Sequence, residues 1–182
     1  MSKYMEKVLS SKRVFEGKVI NLRVDTVELP GGRSGLREVV EYPGAVAVVA
    51  LNEGGELYLV RQYRHAVTKE LLEIPAGKME LGENPELCAG RELLEETGCK
   101  AGKLEPLLRI FSTPGFTTEE MHVFLATGLE PGEQSPDEDE FIDVETVPLE
   151  RAVEMVWSGE ICDAKSVAGI LAVEEYRRRG NR

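Results

Sequence analysis

The feature that most constrains the fold is an unbroken apolar run, Ala45–Leu51. Its length is typical of a single β-strand and is far too short to cross a bilayer. A strand that is apolar on both faces must be covered on both faces. We therefore expect a layered domain in which other elements pack on either side of this strand.

Other segments alternate in the manner of strands or repeat at helical spacing. The predicted strands are Arg13–Val19, Leu22–Leu29, Leu36–Tyr42, Ala45–Leu51, Glu56–Gln62, Leu104–Phe111, His122–Ala126 and Phe141–Val147, with a Pro30-Gly31-Gly32 turn after the second. The predicted helices are Pro85–Thr97, Leu149–Trp157 and Ala164–Arg178. Strands mixed with segregated helices indicate an α+β class, arranged as an α/β/α sandwich with a mixed sheet and antiparallel strands at the N-terminus.

Net charge and cysteine content indicate which partners and which cellular compartment to expect. A formal net charge of −11 argues against a nucleic-acid backbone as the main partner. The first residues contain no apolar stretch of the kind found in a secretion signal. Cys88, Cys99 and Cys162 lack metal-ligand spacing and are interpreted as small buried residues in a reducing compartment. These features predict a cytoplasmic protein that binds neither membranes nor nucleic acids.

The segment Pro85–Thr97 has well-marked helix boundaries. Asn84 can accept hydrogen bonds from the first amides, and Pro85 suits the first helical position. Gly98 can end the helix in a left-handed conformation. We therefore expect a helix with sharply defined ends.

Three glutamates of this helix, Glu92, Glu95 and Glu96, share one face because they lie three and four positions apart. Carboxylates in a last turn oppose the helix dipole at a cost of about 0.3–1 kcal/mol each. Arg91 can pair with Glu95, which leaves Glu92 and Glu96 as unpaired oxygen ligands. Hard cations such as Mg²⁺ take carboxylate oxygens and substrate phosphates together. Taken alone, three such glutamates are more typical of a solvated acidic face.

The surrounding pattern favours the metal site. Residues 77–99 read GKMELGENPELCAGRELLEETGC and resemble the Nudix box: Gly, five residues, Glu, seven residues, then Arg-Glu-apolar-any-Glu-Glu-any-Gly-apolar. The matching positions are Gly77, Glu83, Arg91, Glu92, Leu93, Glu95, Glu96 and Gly98. Cys99 takes the final, usually aliphatic, position, a minor departure because a buried thiol behaves as a small apolar group. The resemblance implies a hydrolase that cuts a pyrophosphate link.

The same resemblance implies roles for the box residues. In that family the helix glutamates hold Mg²⁺ or Mn²⁺ on a diphosphate while water attacks one phosphorus. Glu92 and Glu96 would then be metal ligands. Arg91 would orient Glu95 as part of the catalytic set, and Glu83 would support the geometry between loop and helix.

Flanking sequence is similar to the ADP-ribose pyrophosphatase branch of the family. The similar features are LLEIPAGKME before the box, Arg61-Gln62-Tyr63-Arg64, Arg37-Glu38, and a proline about fifteen residues beyond the box. The resemblance covers residues 36–180 and implies a metal-binding carbonyl at Ala76. It also implies substrate contacts at Arg37, Glu38, Arg64, Lys78, Thr113, Pro114, Gly115 and Glu119. An arginine fork suits a diphosphate, although each arginine taken alone is almost as typical of a surface charge.

An acidic loop, residues 136–140, is the remaining candidate. A bare charge run is usually solvated. In the branch, a glutamate on this loop activates the attacking water, and the next acid but one can bind metal. Glu138 and Glu140 match these two roles, and a register shift of two would exchange them.

The expected reaction is the hydrolysis of ADP-ribose to AMP and ribose 5-phosphate. Residues 1–42 would be a strand extension for dimerisation and substrate contact, and residues 43–182 the hydrolase domain of a homodimer. Three alternatives stay open: another nucleoside diphosphate derivative as substrate, such as a nucleotide sugar or a dinucleotide; a nucleotide-sensing module without activity; and an RNA-end hydrolase. The acidic balance and the lack of a basic stripe do not favour the last of these.

Overall fold

The computed structural model describes residues 3–136 and 140–180, so the predicted base Glu138 lies outside the described residues. The described residues form two compact units. The N-terminal unit comprises the described part of Met1–Gly44 together with Phe111–Glu120. The sandwich unit comprises Ala45–Ile110 and the described part of Met121–Arg182.

The N-terminal unit contains a three-stranded antiparallel sheet. Its strands are β1 (Lys7–Glu16), β2 (Asn21–Glu28) and β3 (Ser34–Glu41), in the order β1-β2-β3. The predicted strand Arg13–Val19 was wrong at both ends. The chain turns at Gly17, whose amide donates to the Ile20 carbonyl at 3.0 Å. Every residue of β1 is exposed, so burial does not mark its beginning in the sequence.

The larger sheet has the mixed topology that was expected. Its strands are β4 (Ala45–Leu51), β5 (Glu56–Arg64), β6 (Lys69–Glu73), β7 (Ala76–Lys78), β8 (Cys99–Phe111), β9 (Glu120–Pro131) and β10 (Asp143–Pro148). The order is β10-β5-β4-β9-β8, with β6 on β5 and β7 on β4. β4 runs parallel to β9 and antiparallel to β5. The helices are α1 (Pro85–Thr97), α2 (Leu149–Ser158) and α3 (Ala164–Gly180).

Two short strands, β6 and β7, were absent from the prediction. They flank Pro75, which has no amide hydrogen to donate to a ladder, and they pair with different neighbours. Segments this short carry little periodicity. The predicted strand Phe141–Val147 also begins too early, since β10 starts at Asp143.

Helices cover β4 on both faces, as its apolar run requires. Val46 and Val48 pack with Cys88 and Leu93 of α1. Val49 lies on the opposite face against α3, where a Cβ on Gly169 would lie 2.9 Å from a Val49 methyl. This arrangement confirms the α/β/α sandwich.

The three cysteines are free, and Cys88 and Cys99 are buried as expected. Cys162 is exposed, which corrects the expectation for that residue. It lies in the connection between α2 and α3, where the neighbouring Ile161 takes the buried position instead.

No helix within the described ranges is long and apolar enough to cross a membrane.

Candidate metal and substrate site

Local capping fixes where α1 begins. Asn84 Oδ1 accepts hydrogen bonds from the amides of Glu86 at 2.8 Å and Leu87 at 3.3 Å. Pro85 occupies the first helical position, where a missing amide hydrogen costs nothing. At the other end Gly98 has φ 67° and donates to the Leu94 carbonyl at 2.9 Å. The predicted bounds of the helix are confirmed.

A separate segment closes the carbonyl end of α1. The amide of Ser135 donates to the Glu95 carbonyl at 3.0 Å, and Gln134 Nε2 donates to the Glu96 carbonyl at 2.8 Å. These carbonyls belong to the last turn of the helix, where carbonyl groups have no hydrogen-bond donor within the helix. The stretch that precedes the acidic loop is therefore attached to the end of the glutamate-bearing helix.

Arg91 binds three carboxylates at once. Its Nη1 donates to Glu92 at 2.8 Å and to Glu95 at 2.9 Å. Its Nε and Nη2 donate to the two oxygens of Glu83 at 3.2 and 3.3 Å. The expectation that Glu92 is unpaired was wrong. The Arg91 guanidinium binds Glu92, the next residue in the sequence, as well as Glu95, one turn further along the helix. Burial lowers the pKa of Arg91, but these carboxylates outweigh it and raise the pKa above its ordinary value.

Glu96 is the most buried carboxylate of the helix, with 2% of its surface exposed. Its Oε2 accepts a hydrogen bond from the amide of Ala76 at 2.9 Å. Burial is the main cause that raises the pKa of Glu96 to about 8, and the charges of Glu92 and Glu140 add to it. Burial likewise raises the pKa of Glu92 against the opposing effect of Arg91.

Gly77 makes room for the Glu92 carboxylate. A Cβ at Gly77 would lie 1.9 Å from the Glu92 carboxyl carbon and 2.1 Å from each oxygen. The carboxylate therefore lies directly against the backbone of β7, next to Ala76. Only a residue without a side chain permits this contact.

These groups fit a divalent cation by their chemistry. The charge of Glu140 disfavours the charged forms of Glu92 and Glu96, the charge of Glu92 adds to this effect at Glu96, and a cation would relieve the repulsion. Carboxylate and carbonyl oxygens are the ligands that Mg²⁺ takes. Within residues 3–136 and 140–180, no three acidic, histidine or cysteine side chains converge as a complete metal cluster. Glu140 is exposed, and Ala76 offers a backbone carbonyl rather than a side chain.

Arg64, at the end of β5, is held by a residue that sequence reasoning missed. Its Nε and Nη2 donate to the two oxygens of Glu73 at 3.0 and 2.6 Å. Glu73 has 1% of its surface exposed. An acid inside the apolar stretch LLEIP was the signal that could have identified it. Lys78, the remaining substrate candidate of this unit, is exposed at the end of β7.

The other substrate candidates all belong to the N-terminal unit. Arg37 and Glu38 are exposed on β3, and Arg37 forms an ion pair with Glu6. The 113–119 segment is bound to the same strand, since the Val40 amide donates to the Phe116 carbonyl at 2.8 Å. The Thr118 amide in turn donates to the Val40 carbonyl at 3.0 Å. This segment carries Thr113, Pro114, Gly115 and Glu119.

Comparison with known proteins agrees with this geometry. The family model described as the NUDIX domain matches residues 41–168, which include the whole of α1. A second model, described as the nucleoside diphosphate sugar hydrolase N-terminal domain, matches residues 6–40. The chain therefore belongs to the Nudix family.

Relatives match over nearly the whole chain. An ADP-ribose pyrophosphatase of Bacillus subtilis (strain 168) is 46% identical, covering 93% of each chain. A methanol dehydrogenase activator of Bacillus methanolicus is 41% identical, covering 92% of this chain and 91% of the relative. An ADP-ribose pyrophosphatase of Mycobacterium tuberculosis is 40% identical, covering 95% of this chain and 85% of the relative.

Among solved structures, a crystal structure of an ADP compounds hydrolase matches with a TM-score of 0.88. The alignment covers 100% of this chain and 99% of that chain at 23% identity. This match confirms the Nudix fold.

Proposed function

We propose that the protein is a Mg²⁺-dependent ADP-ribose pyrophosphatase that converts ADP-ribose and water to AMP and ribose 5-phosphate. The observation that carries the proposal is the pair formed by the partly buried Glu92 and the buried Glu96, which lies against the Ala76–Gly77 backbone on a helix with an intact box. The two relatives named ADP-ribose pyrophosphatase, at 46% and 40% identity, support the choice of substrate.

The site residues divide the work of the reaction. Glu92, Glu96, Glu140 and the Ala76 carbonyl would hold a divalent ion, which would supply positive charge to the diphosphate. Mn²⁺ takes the same oxygen ligands as Mg²⁺ and is expected to substitute for it. Arg91 holds Glu95 and Glu92 in position. The N–H groups of Arg64 that bind no described residue can donate to phosphate oxygens. Arg37 and Glu38, which belong to the N-terminal residues 1–42, bind the rest of the substrate. Lys78, residues 113–115 and Glu119 provide further contacts to it.

A substrate panel tests the function. ADP-ribose, nucleotide sugars and dinucleotides are assayed with Mg²⁺, and the products are identified in isotopically labelled water. The highest kcat/KM is expected for ADP-ribose. Nucleotide sugars are the second candidate, because residues 6–40 match the nucleoside diphosphate sugar hydrolase N-terminal domain. Preference for another compound would reject ADP-ribose, and no turnover of any of them would favour a sensing module.

Glu138 is proposed to take the proton from the attacking water. Replacing Glu138 by Gln is expected to lower kcat by about 10²–10⁴-fold, the usual contribution of general base catalysis. The Kd for Mn²⁺, measured by titration calorimetry, should stay unchanged. Glu133→Gln, an exposed residue of the same segment, is the matched control and should keep full activity. An unchanged rate in Glu138→Gln would transfer the role to Glu140.

A homodimer in the cytoplasm is part of the proposal. The exposed β1 carries Val8, Leu9, Val14 and Phe15, each about half exposed, an apolar surface that a second copy would cover. The free cysteines suit a reducing compartment. Deleting residues 1–35 is expected to give monomers with a raised KM, measured by light scattering and steady-state kinetics. An active monomer with an unchanged KM would contradict the dimer.

A further inference from the structure

The buried Glu73 carboxylate is the centre of a partly buried ion network in the sandwich unit. Both of its oxygens are occupied by the Arg64 fork, through Nε on one and Nη2 on the other. The second oxygen also accepts a hydrogen bond from Lys165 Nζ. A planar guanidinium bound at two points is fixed in both direction and rotation.

The first turn of α3 anchors this carboxylate. Lys165 also donates to Asp163 Oδ2 at 2.8 Å, and the same oxygen accepts from the Ser166 amide at 3.2 Å. Ser166 Oγ in turn accepts from the Ile74 amide at 2.8 Å. Both Glu73 and the residue after it are therefore attached to α3. The strand end that carries Glu73 has little freedom to move.

The network is balanced in charge but leaves part of Arg64 unused. Arg64 and Lys165 are matched by Glu73 and Asp163, so the four groups sum to zero. Burial alone would raise the pKa of Glu73, but Arg64 and Lys165 outweigh it and hold that pKa below its usual range. Among the described residues, Nη1 of Arg64 makes no hydrogen bond, and 39% of its side chain is exposed. The Arg64 charge also acts on Glu96, so the guanidinium lies near the candidate metal ligands.

We propose that Glu73 is a positioning residue that holds the Arg64 guanidinium in the orientation in which its free N–H groups meet the diphosphate. Lys165 stabilises Glu73 as an anion but does not set the orientation of the Arg64 guanidinium. The inference rests on the proposed function, since that function makes Arg64 a substrate contact. Glu73 itself touches no reacting atom.

A double-mutant cycle separates positioning from stability. Glu73→Gln, Arg64→Ala and the double variant are compared by kcat, KM and Kd, with the Kd measured by calorimetry in EDTA. The compound is ADP-ribose, or another member of the substrate panel if the wild-type enzyme hydrolyses that one faster. A misplaced binding group costs on the order of 10–100-fold. Glu73→Gln is therefore expected to raise KM and Kd by about that factor with little change in kcat. In the Arg64→Ala background the same change should have almost no further effect, because coupled residues are not additive.

Two further variants control for structural damage. Lys165→Met removes the other cation of the network, so it should lower Tm while KM stays near the wild-type value. Glu73→Asp keeps a carboxylate one methylene further back and should give an intermediate KM, which also provides a test if Glu73→Gln does not fold. Additive losses in the cycle, or an equal rise of KM in Lys165→Met, would overturn the proposal.

Failure of the inference differs from failure of the proposed function. A normal KM in Arg64→Ala would remove Arg64 from the substrate site and with it this part of the proposed function. A raised KM in Arg64→Ala with a normal KM in Glu73→Gln would reject the role of Glu73 alone. The cycle is run on whichever compound of the panel the wild-type enzyme hydrolyses fastest, so a different substrate leaves the test of Glu73 intact.

Discussion

Replacing Glu96 by Gln is expected to remove most turnover without weakening the metal-free fold. Glu96 is buried, and its charged form is disfavoured by burial and by the charges of Glu92 and Glu140. Gln has nearly the same shape, and its amide oxygen can still accept the hydrogen bond from the Ala76 amide. The variant loses a charged oxygen ligand. Electrostatic stabilisation by a metal is worth several kcal/mol, so kcat should fall by about 10²–10⁴-fold.

The measurement pairs kinetics with metal binding and stability. In Glu96→Gln the Kd for Mn²⁺ should rise, while Tm without metal should equal or exceed that of the wild type. Glu86→Gln is the matched control, because it makes the same substitution at an exposed position in the first turn of the same helix. Near-normal kcat in Glu96→Gln would show that this carboxylate is not a metal ligand.

The parts of the fold that were correctly predicted are those with local signals. α1 was predicted residue for residue because Asn84, Pro85 and Gly98 mark its ends through short-range hydrogen bonds and backbone geometry. β4 was predicted with equal accuracy because its whole length is apolar. β1 was misplaced because an exposed strand has no buried face to mark its bounds, and its pairing with β2 also contains register shifts.

The predictions for the candidate site divide in the same way, between residues with a local sequence signal and residues without one. The box spacing grouped the helix glutamates with Gly77, and the structure brings Glu92 against Gly77 because both belong to one strand-loop-helix. Glu73 was missed because its partners come from separate elements. Arg64 reaches it across the β5–β6 pair, and Lys165 lies 92 residues further along the chain. Such contacts depend on topology, which periodicity does not reveal.

A second large effect is expected from the smallest change in the site, Gly77→Ala. The new methyl group would occupy the space of the Glu92 carboxylate, which lies about 2 Å from the Cβ position. The clash involves the end of a flexible side chain, so the fold can relieve it by rotating Glu92 away. Overpacking of this kind costs about 1–3 kcal/mol, and the protein should remain folded. The displaced carboxylate can no longer bind metal, so kcat should fall by about 10²–10⁴-fold, as for Glu96→Gln.

Gly90→Ala is the matched control for this prediction. Gly90 lies inside α1, where the one described atom near an added Cβ would be Leu104 Cδ1 at 3.6 Å, an ordinary contact. Alanine is favoured over glycine in a helix interior by about 0.5–1 kcal/mol, so this variant should be slightly more stable and fully active. Thermal unfolding, kcat and the Kd for Mn²⁺ are measured on both variants. If Gly77→Ala bound Mn²⁺ and turned over substrate as well as Gly90→Ala, the place of Glu92 against β7 would have no part in the metal site.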